Sequence, residues 1–196
     1  TREDPAYDGL NIYGDDFTQL LNFDKAVGLP SGTLGSARVS RTGYAEADLL
    51  DYNAQSVKTD FSIHYRPFAN DFEIIYNGRV GRGNTIYQGA SRYAIRDFTL
   101  QQHRVEVRNN NLFVRGYMTA ENSGNSYDTR FAAINVNRAW KGDVEWFTEY
   151  AQTFIGARLG VGTGVQLPED QAHAAARQAA DRGRYLPGTP EFKQAF

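Results

Sequence analysis

From Gln55 onward the chain alternates. Val57, Thr59, Phe61, Ile63 and Tyr65 fall on one side of an extended backbone, and Lys58, Asp60, Ser62, His64 and Arg66 on the other. Pro67 and the Asn70-Asp71 pair then predict a short turn. The next run sets Phe72, Ile74, Tyr76, Gly78 and Val80 against Glu73, Ile75, Asn77, Arg79 and Gly81, with Ile75 interrupting the polar side. A glycine-rich polar stretch at 82–96 reads as a long connection. Beyond it Gln101, His103, Val105 and Val107 oppose Gln102, Arg104, Glu106 and Arg108. Asn109-Asn110-Asn111 is a turn signal, because Asn tolerates positive φ, and Leu112, Val114, Gly116 and Met118 then alternate with Phe113, Arg115, Tyr117 and Thr119. Short connections (67–71, 109–111) take turns with long ones (44–53, 82–96, from 122). That order predicts an up-and-down antiparallel meander with its short turns at one end.

The flanks have a different character. Residues 1–30 read as an extended connector, broken by Pro5, Gly9 and Gly14, with an apolar patch at 17–23 that fits a brief strand or a helical turn. Residues 36–43 predict a short strand and 44–53 a loop. After 126 the chemistry turns helical: 143–158 and 168–184 are rich in Ala, Glu, Gln and Arg, and the second opens on Pro168-Glu169-Asp170 and stops at Gly183. Pro187 and Pro190 predict an irregular tail. Residues 131–140 fit neither period. The parity of the connections favours a helix there, since the strand ending near Asn122 runs toward the long-loop end.

Composition narrows the chemistry. The 196 residues carry 21 Lys and Arg against 23 Asp and Glu, a net charge of −2 that gives no footprint for nucleic acid. Without Cys there is no disulfide scaffold, thiolate metal site or Cys nucleophile. No run approaches the ~18 apolar residues of a transmembrane helix, and at 41% hydrophobic the chain first reads as soluble. Alternation reverses that inference, because the strands of a membrane β-barrel never produce a long apolar run. Periodicity alone does not separate a solvated sandwich from a barrel with a polar lumen.

His64, His103 and His173 lack metal or catalytic spacing and read as strand-face or surface-helix residues. The G-R-V-G-R-G run at 78–83 opens no helix and lacks the Lys-Ser/Thr of a phosphate loop, so its glycines read as bends or close packing. Asp15, Asp16, Glu46 and Asp48 lack the spacing of a calcium loop and read as solvated. No catalytic residue, metal or cofactor is expected.

Four ordered segments carry a family resemblance. D-P-A-Y-D-G-L-N-I-Y-G-D-D (4–16), V-S-R-T-G-Y-A-E-A-D-L-L-D-Y-N (39–53), F-V-R-G-Y-M-T-A-E-N-S-G-N-S-Y-D (113–128) and D-R-G-R-Y-L-P-G-T-P-E-F (181–192) look like the start of the barrel in TonB-dependent outer-membrane receptors. The large type with a carboxypeptidase-regulatory-like N-terminal domain is the nearest in character. The resemblance implies a partial transmembrane β-barrel of antiparallel up-and-down strands. Residues 1–35 would connect plug to barrel, 36–122 would hold the first barrel strands, and 123–196 would form a long helical extracellular loop. It further implies a place in the outer membrane of a Gram-negative cell, import of a nutrient into the periplasm, and the turns at 67–71 and 109–111 on the periplasmic side.

Lys58, Asp60, Ser62, His64 and Arg66 would then face lumen or plug, and Val57, Thr59, Phe61, Ile63 and Tyr65 would face lipid. The implied partners are outer-membrane lipids, the TonB complex through a plug region outside this chain, and a surface lipoprotein lid; nucleic acid is not among them. Since ~10 residues per strand over 22 strands exceed this length, the chain reads as a fragment. Two rivals stay open. One is a small soluble or membrane β-barrel holding a ligand inside, which the helical last third disfavours. The other is an enzyme, which requires His64 or His103 to meet a carboxylate in a pocket.

Overall fold

The computed structural model describes residues 4–196. Its residues group into two units, one running up to Leu50 and resuming at Thr129–Phe196, the other formed by Asp51–Asp128.

The first unit opens with short strands: β1 (Ile12–Tyr13), β2 (Thr18–Asn22), β3 (Ser36–Ser40) and β4 (Tyr44–Ala45). β1 pairs with β4 and β2 with β3, all antiparallel. The patch at 17–23 is therefore both of the predicted things, since β2 runs directly into helix α1 (Phe23–Val27). Asn22 caps that helix by accepting from Lys25 N–H at 2.8 Å, and Gly28 ends it in the left-handed region (φ 70°). The predicted loop at 44–53 holds β4 and a one-turn helix, α2 (Glu46–Leu49).

Helices α3 (Thr129–Trp140), α4 (Asp143–Leu159), α5 (Glu169–Ala180) and α6 (Pro190–Ala195) complete the unit. The stretch that fits neither period is the helix α3, the outcome that parity favoured. α4 has acids in its first turn, Arg158 in its last and Gly160 at φ 70° as its stop. The irregular tail predicted from Pro187 and Pro190 is corrected by α6. Pro190 opens that helix, where its missing N–H costs nothing, and Thr189 accepts from Phe192 N–H to cap it.

Packing follows side-chain size. The aromatic stripe of α4 (Trp146, Tyr150, Phe154) is buried against the alanine stripe of α5 (Ala172, Ala176, Ala180), with Phe23 and Val39 filling the same cluster. Tyr44, Leu49, Ala133, Val136 and Phe192 form a second cluster, where Phe192 meets the Tyr44 ring edge-on. Buried polar groups tie distant segments together. Arg41 donates to Asn137 O, Lys141 O and Asp143 Oδ1 at 2.7–3.0 Å between the rings of Trp140 and Trp146. Arg177 donates to Pro5 O and Ser40 O, and Arg184 to Gly43 O. Three of the four resemblance segments thus meet in this unit.

The second unit is one antiparallel sheet: β5 (Gln55–Tyr65), β6 (Glu73–Gln88), β7 (Arg92–Arg108) and β8 (Phe113–Asn122) side by side in chain order, with β9 (Tyr127–Asp128) continuing the line of β8 along β7. The long connection expected at 82–96 is corrected here: it is strand on both sides of a turn at 89–91. The alternation there is hidden by Gly81, Gly83 and Gly89 and by a register shift at Gly83/Thr85, where an extra residue in β7 puts the two halves of that strand out of phase. Both ends of the sheet therefore carry short turns. The turns at 66–72 and 109–112 share one end, joined by Asn110 N–H donating to Asp71 Oδ2 at 2.5 Å. Among the described residues β5 and β8 are edge strands, and the sheet does not close into a barrel.

Candidate functional site

Register assigns every strand residue to one of two faces. Starting from the paired-turn end, the first face stacks Tyr65, Ile74, Val107 and Val114, then Ile63, Tyr76, Val105 and Gly116, then Phe61, Gly78, His103 and Met118, then Thr59, Val80, Gln101 and Ala120. The fifth row, Val57, Arg82, Thr99 and Asn122, is mostly polar. The four apolar rows cover about 20 Å along the strands at ~3.4 Å per residue, close to the ~25 Å apolar band of an outer-membrane barrel. This surface is open: Val57, Ile63, Tyr65, Val114 and Met118 each keep more than half of their area exposed. Thr59, Gln101 and His103 are its polar members, and His103 has a partner within the face, its Nδ1 2.8 Å from the Tyr76 hydroxyl. Gly78 leaves room for a neighbour. A Cβ there would stand 2.5 Å from the far end of the Phe61 ring, which occupies the space over the glycine.

The other face is ionic. The polar residues of β5 that the sequence singles out are brought together with partners on β6 and β7. Asp60 accepts from Arg79 and from Asn77 Nδ2. Ser62 Oγ and His64 Nε2 lie 3.1 Å apart, and His64 Nδ1 is 3.2 Å from Glu73 Oε1. Arg66, one residue beyond β5, donates to the same oxygen, while Arg108 donates twice to Glu73 Oε2 at 2.6–2.8 Å. Glu106 takes Arg115. Lys58 has no ion-pair partner among the described residues and borders a depression with Phe98 and Leu100. The hub of this face is Glu73, buried beneath His64, Arg66 and Arg108. Sequence reading placed Glu73 on the polar side without singling it out, because pairing across 35 residues leaves no local signal.

The histidines are dispersed. His64 and His103 occupy opposite faces of the sheet, and His173 lies in the first unit, where its Nδ1 is 2.9 Å from the Tyr150 hydroxyl and its ring stacks on Phe154. Burial, with help from Arg177 and Arg158, pulls the His173 pKa below its usual value, and burial pushes the Tyr150 hydroxyl up to about 12.

The acidic residues of the connector differ among themselves. Asp15, read from sequence as solvated, is buried. Loss of solvent raises its pKa to about 6, aided by the charges of Asp16 and Asp8 and opposed by the Gly9 N–H it accepts. Asp16 pairs with Arg130 at 3.1 Å, and Glu46, also buried, accepts from Tyr13 Oη at 3.0 Å. Asp24 is held below the usual carboxylate range by the N–H groups of Leu34, Gly32 and Gly35, which makes it the brace of the 28–35 loop. No cluster of three metal-ligating side chains occurs among the described residues.

No protein-family model, curated protein or solved structure matches the chain.

Proposed function

We propose that the chain forms part of the wall of a TonB-dependent outer-membrane receptor, which imports a nutrient into the periplasm. The observation that carries the membrane part is the sheet itself. Four strands in register put an exposed apolar surface on one side and clustered ion pairs on the other. In water such a layer would leave a wide apolar patch unsolvated, whereas a barrel wall gives each face its own medium. The open edges of β5 and β8 suit further strands on either side. The assignment to TonB-dependent receptors is supported by the resemblance of the segments at 4–16, 39–53, 113–128 and 181–192. In this reading Lys58, Asp60, Ser62, His64 and Arg66 face lumen or plug, the turns at 66–72 and 109–112 are periplasmic, and the tip at 89–91 is extracellular.

The test is membrane assembly. Arg costs roughly 2–4 kcal/mol on a lipid-facing site at mid-membrane and little on a hydrated lumen face. Phe61→Arg and Val105→Arg should abolish heat-modifiable, protease-resistant protein in a Gram-negative outer membrane, while Ser62→Arg and Gln102→Arg assemble normally. Equal tolerance of both pairs would refute the membrane orientation.

A further inference from the structure

The ionic face is not ionic along its whole length. Above the Asp60–Arg79 pair it gives way to a depression of about 550 Å³ floored by Gly81 and Gly83, walled by Ile95, Phe98 and Leu100, and edged by Lys58. A backbone irregularity creates it. Ile95 and Phe98 are three residues apart, so a regular strand would send them to opposite faces. Asn84 on β6 instead faces two residues of β7, Arg96 and Asp97, and the extra residue brings Ile95 round to join Phe98. Asp97 takes a positive φ of 53°, unusual for a residue other than Gly. Three partners hold it there: its N–H donates to Asn84 Oδ1 at 2.7 Å, and its carboxylate accepts from Arg82 at 2.7 Å and Asn125 at 3.2 Å. Backbone held in a costly conformation by several side chains marks a place where side chains have been re-aimed.

The surroundings define what fits. The open floor is at Gly81, where a Cβ would meet nothing nearer than Lys58 Cγ at 4.0 Å, while at Gly83 the Gln55 carbonyl, 2.7 Å from where a Cβ would stand, closes one side. The walls are apolar and one is aromatic. The neighbouring cations Arg79 and Arg82 are already paired, with Asp60 and Asp97, which leaves Lys58 as the edge cation without a carboxylate. A volume of this size with an apolar lining and one placed charge has the general form of a small-molecule site.

We propose that this depression binds a small monoanion with a flat apolar body, of the aryl carboxylate class, its ring lying on Gly81 against Phe98 and its carboxylate at Lys58. Its position inside a barrel rests on the proposed function; its chemistry rests on the sheet alone.

Equilibrium dialysis of 2-naphthoate against the purified protein in detergent micelles, with uncharged 2-naphthalenemethanol as comparison, tests the site. Saturable binding of one 2-naphthoate per chain is expected, above the micelle background. Gly81→Leu should fill the floor and remove it, and Leu100→Gln should weaken it in protein whose heat-modifiability is unchanged. Lys58→Gln should weaken 2-naphthoate about tenfold, the size expected for one charge-assisted contact, and leave the alcohol unaffected. Non-saturable uptake, binding indifferent to both Gly81→Leu and Leu100→Gln, or equal effects of Lys58→Gln on acid and alcohol would overturn the proposal. The Arg variants of the lipid-facing surface separate the two readings. Specific binding by the wild-type protein together with equal tolerance of the Phe61→Arg and Ser62→Arg pairs refutes the receptor and keeps the site, whereas a membrane-assembled wild-type protein without binding refutes the site alone.

Discussion

At the scale of single residues, two buried titrating groups in the helical unit pull stability in opposite directions with pH. Asp15 has a folded pKa of about 6 against an unfolded 3.8. Its contribution is therefore fully present below about pH 4 and lost as pH rises through 6, where the charge must be carried in a desolvated site. Asp15→Asn should raise the melting temperature at pH 8, by an amount corresponding to about 2 kcal/mol, and leave it unchanged at pH 4. His173 runs the other way. Its folded pKa is depressed, so its contribution is present above the unfolded value of 6.5 and declines as pH falls below it. His173→Gln keeps an acceptor for the Tyr150 hydroxyl and cannot be protonated. Circular-dichroism melts of this variant at pH 7.5 and 5 should differ less than those of the wild type.

At the scale of elements, the sheet distinguishes two glycines that look alike in sequence. Gly78 lies under the Phe61 ring, while a Cβ at Gly116 would meet nothing within 4 Å. Gly78→Val should cost about 1–3 kcal/mol through overpacking, and Gly116→Val should be tolerated. The pair Phe61→Ala and Gly78→Val should be less damaging together than the sum of the two singles, because removing the ring frees the space the valine needs. Folding yield into micelles, read from heat-modifiable migration, measures all three. Additive losses would mean that the ring is not packed on the glycine.

At the scale of the whole molecule, both hydrophobic clusters belong to the helical unit, and each unit has its own spectroscopic reporter. Both tryptophans, Trp140 and Trp146, belong to the helical unit and flank Arg41. Arg41→Ala leaves the carbonyls of Asn137 and Lys141 and the Asp143 carboxylate without their buried donor, a loss of about 3–5 kcal/mol for a broken buried pair. Tryptophan fluorescence should report early unfolding of this unit, while the β-sheet circular dichroism of the other persists to the wild-type temperature. A single shared transition would show the two units to unfold as one.

Much of this architecture follows from local pattern. The alternation of β5 and β8, the compositions of α4 and α5, the acidic opening of α5 after Pro168 and the breaks at Pro67 and Asn109 are short-range properties, because strand period, helix preference and turn preference act within a few residues. The two faces were legible too, since a period of two assigns them. What local pattern hid was the course of β6 and β7 through 82–96, where an extra residue at Arg96-Asp97 shifts the phase and glycines erase the contrast. The helix at Pro190 was hidden in another way, because proline ends a strand or an irregular tail as readily as it begins a helix. Long-range partnership was decided only by the tertiary structure: Glu73 with Arg108, Arg41 with Asn137, Asp15 without solvent, Ile95 beside Phe98. Ion pairing and desolvation depend on which residues meet in space, and the sequence carries no local mark of a neighbour 35 or 100 positions away.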